Sequence, residues 1–445
     1  MRMRWVVIAL ALAGCGARGS SDRGERGMGA ADVARASAIV AKIRAAATDG
    51  AALAEYQGYR AGGGAPSAPA ARSLAVRIVT ASLGDGAAAT RAAAARAAAR
   101  VPELRAALAA HAGDSDPVVR AEVARARGDA ATLLTLTDGA GAAVALDALA
   151  ALAPARARAA ALARVRDADP AVQAAALEVL GAAGERADGE VVVSVLSSAA
   201  DGHTRAVALR ALAAIPGAGA AAAQVARDAL TDRYPGARLA ALSVLDQVLG
   251  IEAPATLKNI AGGADLSLRV HAAVLLWRRG AHDTARAALA SVLASPQGAW
   301  TARAAALNAA DGWQDADFGA LADAGERDPA PGVRLAAGRL LLDIGGRERA
   351  IAIWSALLAL TADPTDAASE LTYTQIQAAA ELARAHSDLG PGALDGFAAA
   401  GAPSRAAALA ALGNIPGAPR DSLVAGLSDP TVALTAAAAI LHATR

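Results

Sequence analysis

"DPAVQAAALEVLGAAG", residues 169–184, decides the fold because the chain repeats its pattern many times. Versions of it read "DGHTRAVALRALAAIPG" (201–217), "YPGARLAALSVLDQVLG" (234–250), "DPAPGVRLAAGRLLLDIG" (328–345), "GAPSRAAALAALGNIPG" (401–417) and "DPTVALTAAAAILHATR" (429–445). Each opens with a turn, often Asp-Pro. A polar residue follows, then apolar residues four and seven places on, and usually a glycine closes the unit. The polar marks are Gln173, Arg205, Arg238, Arg269, Arg303, Arg334 and Arg405, and most are 31 to 34 residues apart. Four places on stand Leu177, Leu209, Leu242, Ala273, Leu307, Gly338 and Leu409. Seven places on stand Leu180, Leu212, Leu245, Leu276, Ala310, Leu341 and Leu412. An i, i+4, i+7 stripe is one face of an α-helix. Asp before Pro supplies an N-cap with a proline in the first turn, and the glycine supplies the stop.

Composition agrees. Of 445 residues, 55% are hydrophobic but only 2% aromatic, and alanine provides most of the apolar count. Alanine favours helix and leaves little bulk, so many closely packed helices are expected in place of a thick core. Weaker copies fill the gaps: Arg120 in "DSDPVVRAEVARA" (114–126), "GAAVALDALAAL" (141–152), and "YTQIQAAAELARA" (373–385). Shorter helical stretches lie between the marked ones. Two helices in about 32 residues leave only short turns, so neighbours run antiparallel and stack.

The Asp-Pro turns (Asp116-Pro117, Asp169-Pro170, Asp328-Pro329, Asp429-Pro430), the following Val-Arg (Val119-Arg120, Val333-Arg334) and the Ala/Leu stripe resemble HEAT-like repeats, particularly the short bilin-lyase-type variety. The period also suits tetratricopeptide repeats, but their large aromatic pattern is missing. The resemblance implies an all-α solenoid, a right-handed superhelix of about eleven or twelve helix pairs. At ordinary helix spacing it would be a curved rod on the order of 100 Å long with a continuous inner surface. In that family Asp and Arg form ladders between repeats. A structural role in turns and ladder is therefore expected for Asp116, Arg120, Asp169, Arg205, Arg238, Arg269, Arg303, Asp328, Arg334, Arg405 and Asp429.

The amino terminus carries a separate message. "MRMR" is a positive n-region and "WVVIALALAG" (5–14) an apolar segment of ten residues. That is too short to span a bilayer but suits a secretory signal. It ends in Leu12-Ala13-Gly14-Cys15, which resembles the lipobox of bacterial lipoproteins. The resemblance implies lipidation of Cys15, the single cysteine, after cleavage before it. Gly16 in place of Asp then favours the outer membrane. Residues 15–31, Gly-, Ser- and charge-rich, read as a flexible tether. Residues 1–14 are the signal and 32–445 the solenoid. Within it, the first units (32–110) are divergent, 114–345 clearest, 346–390 divergent, and 391–445 the C-terminal repeats.

Function is less legible. Charge is balanced, 43 basic against 42 acidic residues, which argues against nucleic acid as a partner. The Arg-rich stretches 90–105 and 155–167 read as solvated helix faces, or else as a docking patch for something acidic. The six histidines lack metal-ligand spacing, and none is followed by Glu as in the iron-binding HEAT hydroxylases. "DGWQDADFG" (311–319), with Asp311, Asp315 and Asp317, lacks calcium-loop spacing. No nucleophile elbow or phosphate-binding loop appears. The expectation is therefore a non-enzymatic scaffold that holds protein partners in the cell envelope, attached to the membrane through Cys15. No cofactor, metal or small-molecule substrate is expected. The rival expectation is an accessory or catalytic HEAT-repeat protein of the chromophore-lyase or metal-dependent type. Candidate partner-binding residues are Arg210, Gln247, Arg278, Arg279 and Arg339, with Glu178 a further polar position. Trp300 and Trp313 join them as residues that either fill the core or form a binding hot spot.

Overall fold

The computed structural model describes residues 30–444 apart from 218, 251–252, 296–298, 314–315, 362–368, 386, 400–403 and 416–419. Cys15, the signal segment and all but the end of the tether therefore lie outside the described residues. The described residues form twenty-six α-helices with short turns and no strand. The solenoid is all-α, and its helices pack in consecutive pairs.

Local sequence accounts for the helix limits. Asp116 caps Pro117–Arg127 by accepting the N–H groups of Val118 and Val119 at 2.8 and 3.1 Å. Asp201 does the same for Gly202–Ala214, and Asp265 for Leu266–Arg278. Each such cap contributes about 1 kcal/mol. Pro117, Pro170 and Pro235 open their helices, where a missing N–H costs nothing. Gly128, at φ 68°, ends the Pro117–Arg127 helix in the left-handed conformation. Two Asp-Pro turns behave differently from the expectation. The helix after Asp328-Pro329 starts only at Pro331, and the one after Asp429-Pro430 at Ala433. There the aspartate holds the turn by accepting the N–H two residues on, from Ala330 and Thr431.

Every second helix stacks on the next of its kind, from Ala88–Ala98 through Pro117–Arg127, Ala142–Leu152, Pro170–Ala183, Gly202–Ala214, Pro235–Val248, Leu266–Arg278, Trp300–Ala310, Pro331–Asp343, Glu370–Arg384 and Ser404–Leu412 to Ala433–Ala443. The helices between them touch their own kind far less. The densely stacked layer therefore lies at the smaller radius. It contains the marked repeat helices, whose positions four and seven are buried in every copy. Alanines such as Ala176, Ala208 and Ala241 are fully buried there, and small side chains let inner helices approach closely. One stripe position is a glycine for a reason of volume: a Cβ on Gly338 would lie 2.3 Å from Nε1 of Trp354. The fully buried Trp354 indole fills the space that leucine fills in other repeats, and it donates to the Leu335 carbonyl.

The expected open rod is corrected by the ends of the stack. Ala433–Ala443 packs against Ala68–Leu83 and also reaches Ala88–Ala98. One hydrophobic cluster joins Leu74, Val79 and Leu104 of the first units to Leu409, Leu423 and Ile440 of the last. Arg60 donates from Nε and Nη2 to both carboxylate oxygens of Asp421, at 2.8 and 2.7 Å. Arg72 reaches the carbonyl and hydroxyl of Thr444 at 3.3 Å. The solenoid is a closed ring. Repetition of similar units sets a constant turn per unit, and the turn accumulated here brings the last unit back onto the first.

Candidate protein-interaction surface

The ladder between repeats is built from one repeated element. Arg91 donates from Nε and Nη2 to the carboxylate of Asp114 in the next unit, at 2.7 and 2.8 Å. Arg205 binds Asp232 at 2.6 and 2.8 Å, and Arg303 binds Asp328 at 2.6 and 3.0 Å. Arg238 pairs with Asp265 at 2.8 Å, and Arg405 with Asp429. The same arginines also clamp the turn before their own helix. Arg91 reaches the carbonyls of Asp85 and Gly86, Arg205 those of Ala199 and Ala200, and Arg238 that of Asp232. The acceptor aspartate meanwhile holds its own turn: Asp114 accepts the Asp116 N–H, and Asp232 the Tyr234 N–H. Each rung thus fixes two turns and the angle between two units. Planar forked pairing of this kind is stronger and more directional than a lysine contact.

The other expected ladder residues sit as follows. Asp116 and Asp169 are caps. Arg120 binds the carbonyls of Asp114 and Ser115, and Arg269 binds that of Gly263 and the hydroxyl of Ser291. The Arg334 Nε is buried with no hydrogen bond. The sequence points to the Asp next to Pro, so Asp114 and Asp232 are not among the expected rungs. The acceptor stands two residues before the cap, and the spacing from each arginine (23 and 27 residues) was visible. The carboxyls of Asp114 and Asp232 are held below the usual range by the hydrogen bonds from Arg91 and Arg205. Burial alone would push Asp328 up, yet Arg303 and the Ala330 N–H hold it down.

A second set of polar ties crosses the inner helices. Arg96 reaches buried Glu122 at 2.7 Å, Arg279 reaches Asp246 at 2.6 Å, and Arg339 reaches buried Glu381 at 2.7 Å. Ser243 Oγ and His271 Nε2 share a hydrogen bond of 2.8 Å between adjacent inner helices. Burial, then the nearby Arg278 charge, pushes the His271 imidazole below its usual range. His271 thus ties adjacent repeats.

These ties sort the candidate partner-binding residues. Arg279 and Arg339 already serve neighbouring helices. Trp313 stacks on Trp277 with ring centroids 4.2 Å apart, beside fully buried Phe318, and His282 covers the other side of Trp277 at 4.1 Å. Trp300 packs over Gly332, where a Cβ would lie 2.4 Å from its ring. Both tryptophans are half-buried at the edge of the core. Arg210, Gln247 and Arg278 are exposed on three consecutive inner helices, and Glu178 is exposed on the helix before them. Among the described residues there is no group of three His, Cys, Asp or Glu side chains placed to hold a metal. Asp315 and His386 lie outside the described residues; Asp317 pairs with Arg286 at 2.9 Å.

No protein-family model matches the chain, and no curated protein does. Solved structures similar to it include Kap121p, at 13% identity and a TM-score of 0.35, with 85% of this chain aligned to 49% of Kap121p. Kap95p, in a structure concerned with RanGDP, gives 12% identity, a TM-score of 0.31, and 92% and 60% coverage. Human deoxyhypusine hydroxylase gives 20% identity, a TM-score of 0.24, and 60% and 95% coverage. The chain spans about half the length of Kap121p.

Proposed function

We propose that the chain is a scaffold for protein partners in the cell envelope, held at the membrane by lipid on Cys15 and binding through the inner layer of its ring. One observation carries the binding part: the forked Arg205–Asp232 pair and the Arg238–Asp265 ion pair tie consecutive inner helices, and Arg210, Gln247 and Arg278 stand exposed on three of them. Helices tied in this way need little rearrangement when a partner docks, which favours recognition by a preformed surface. The anchor is supported by Leu12-Ala13-Gly14-Cys15 directly after an apolar segment behind a positive start. Two acyl chains or more hold a protein at a bilayer firmly where one is marginal. With Gly16 after the cysteine, the outer membrane is the favoured site.

The test uses a photo-crosslinking residue placed at Gln247 or, as control, at Glu190 on the outer helix Asp188–Ser198. Wild-type and Cys15→Ser chains are compared in intact cells after labelling with a radioactive fatty acid. The expected result is label on the wild type alone, loss of Cys15→Ser from the membrane fraction, and a discrete adduct from position 247 only. Absence of label sinks the anchor. Identical adducts from both positions sink the inner-layer assignment.

A further inference from the structure

Three arginines converge on a cavity that the scaffold does not use. It has a volume of about 490 Å³ and lies between the end of Ala88–Ala98, the short helix Arg105–Ala110 and the end of Pro117–Arg127. Buried Ala98, Val101 and Leu108 give it an apolar floor, Ala109 and Ala126 line it further, and the exposed Arg100, Arg105 and Arg127 stand around it. We propose that this cavity binds a small anionic amphiphile, a phosphate or carboxylate head on a short apolar body, with the guanidinium groups on the head and the floor under the body.

The contrast with neighbouring arginines favours this. On the same helices Arg91, Arg96, Arg120 and Arg125 each bind a carboxylate or turn carbonyl. The side chains of Arg100, Arg105 and Arg127 make no hydrogen bond or ion pair among the described residues. Glu103, the acid in the loop between Arg100 and Arg105, is bound to Arg72 at 2.6 and 2.9 Å. Asp129, the acid nearest Arg127 in sequence, feels the Arg127 charge, but its hydrogen bonds go to the N–H and hydroxyl of Thr132.

One of the three arginines also stands where the fold would prefer something else. Arg100 has φ 65°, the one non-glycine at positive φ among the described residues. A side chain there is strained, and glycine would suit the backbone better. Arg105 continues the helical turn Pro102–Leu104, its N–H bonded to the Pro102 carbonyl. Arg127 stands in the last turn of its helix. A residue that breaks a local rule beside a cavity marks a place the structure keeps at a cost. An apolar pocket of this size with a few convergent charges is the usual form of a small-molecule site, and guanidinium groups suit oxyanions.

The test is calorimetric titration of the purified full chain with decyl phosphate, decanoate, inorganic phosphate, decanol and phosphatidylglycerol vesicles. Decyl phosphate or decanoate is expected to bind at least tenfold more tightly than inorganic phosphate or decanol. Arg105→Gln is expected to weaken it at least tenfold. Arg100→Gly is the discriminating variant, since it relieves the backbone while removing a charge. Affinity should drop with no loss of thermal stability. Unchanged affinity in both variants overturns the proposal, as does binding to vesicles alone, which would indicate a membrane surface contact.

Discussion

Removing the last helix, residues 433–445, separates a closed ring from an open rod. In an open array each unit touches only its neighbours, so this truncation would disturb the Ser404–Leu412 and Asp421–Gly426 helices and leave residue 70 indifferent. In the ring the same helix also covers Ala68–Leu83. It buries Ile440, Leu441, Ala436, Ala437 and Ala439. At about 1.5–3 kcal/mol for each large side chain and about 0.8 for each alanine methyl, these contribute about 5–8 kcal/mol of burial. If half of that faces the amino-terminal side, the seam loses about 3–4 kcal/mol, a factor of more than a hundred in local opening. The seam ion pair Arg60–Asp421 is a small part of this. Its Asp421 side chain is 61% exposed, and exposed pairs contribute about 0.2–1 kcal/mol. Amide exchange followed by mass spectrometry should therefore show residues 68–83 exchanging about a hundredfold faster in the truncated chain. The distant Gly202–Ala214 helix should hold its protection, and Arg60→Ala should change little at either place. Unchanged exchange over 68–83 would refute ring closure. An equal rise over the whole chain would show global destabilisation instead.

Three further outcomes test the packing and the ladder. Gly338→Leu should destabilise because its side chain meets the Trp354 indole, and Trp354→Ala should cost about 3–5 kcal/mol by leaving a cavity; combined, they should cost clearly less than their sum in a denaturant titration, and additivity would count against the volume exchange. Arg303→Met leaves Asp328 largely buried and without its forked partner, so unfolding midpoints should reveal a loss of about 3 kcal/mol; a loss below 0.5 would make the rung ornamental. The lowered carboxyls of Asp114 and Asp232, with Glu103 drawn down to about 2 by Arg72, contribute stability that is complete above the unfolded value near 4 and lost as pH falls through their folded values. Thermal midpoints should hand this over below about pH 4, and Arg91→Gln with Arg205→Gln should flatten the acid slope; an equal slope would remove the rungs from the acid response.

The helices and their buried stripe were legible because helical period is a local property. Leu177, Leu209 and Leu242 are buried for the same reason they recur. The rungs were half legible. Arginine at the register mark was visible, but its acceptor depends on how a turn folds, and the carboxylate that faces it is Asp114, two residues before the cap, not Asp116. Trp300 and Trp313 could not be placed from sequence, since an aromatic in a repeat is equally compatible with a core edge and a surface. Their half-buried stacking on Gly332 and Trp277 depends on neighbours 32 and 36 residues away. The cavity under Arg100 was invisible for a related reason. "TRAAAARAAARVPELR" shows a basic run, but which arginines are already occupied is a matter of three-dimensional pairing.

Ring closure had a sequence sign of its own. An open array needs polar outer faces on its end units, because the face that would meet the next repeat meets water. "ALTAAAAILHA", the helix Ala433–Ala443, carries no Asp, Glu, Lys or Arg. It has the composition of a helix covered on both sides, and Ala68–Leu83 supplies the second cover. Closure also constrains how a partner could be held. An open solenoid can change pitch to fit its cargo, with the strain spread over many weak interfaces. A ring cannot change the turn of one unit without opening the seam or compensating elsewhere. The proposed inner surface around Arg210, Gln247 and Arg278 must therefore act nearly as a rigid template, and its selectivity must come from the positions of those side chains.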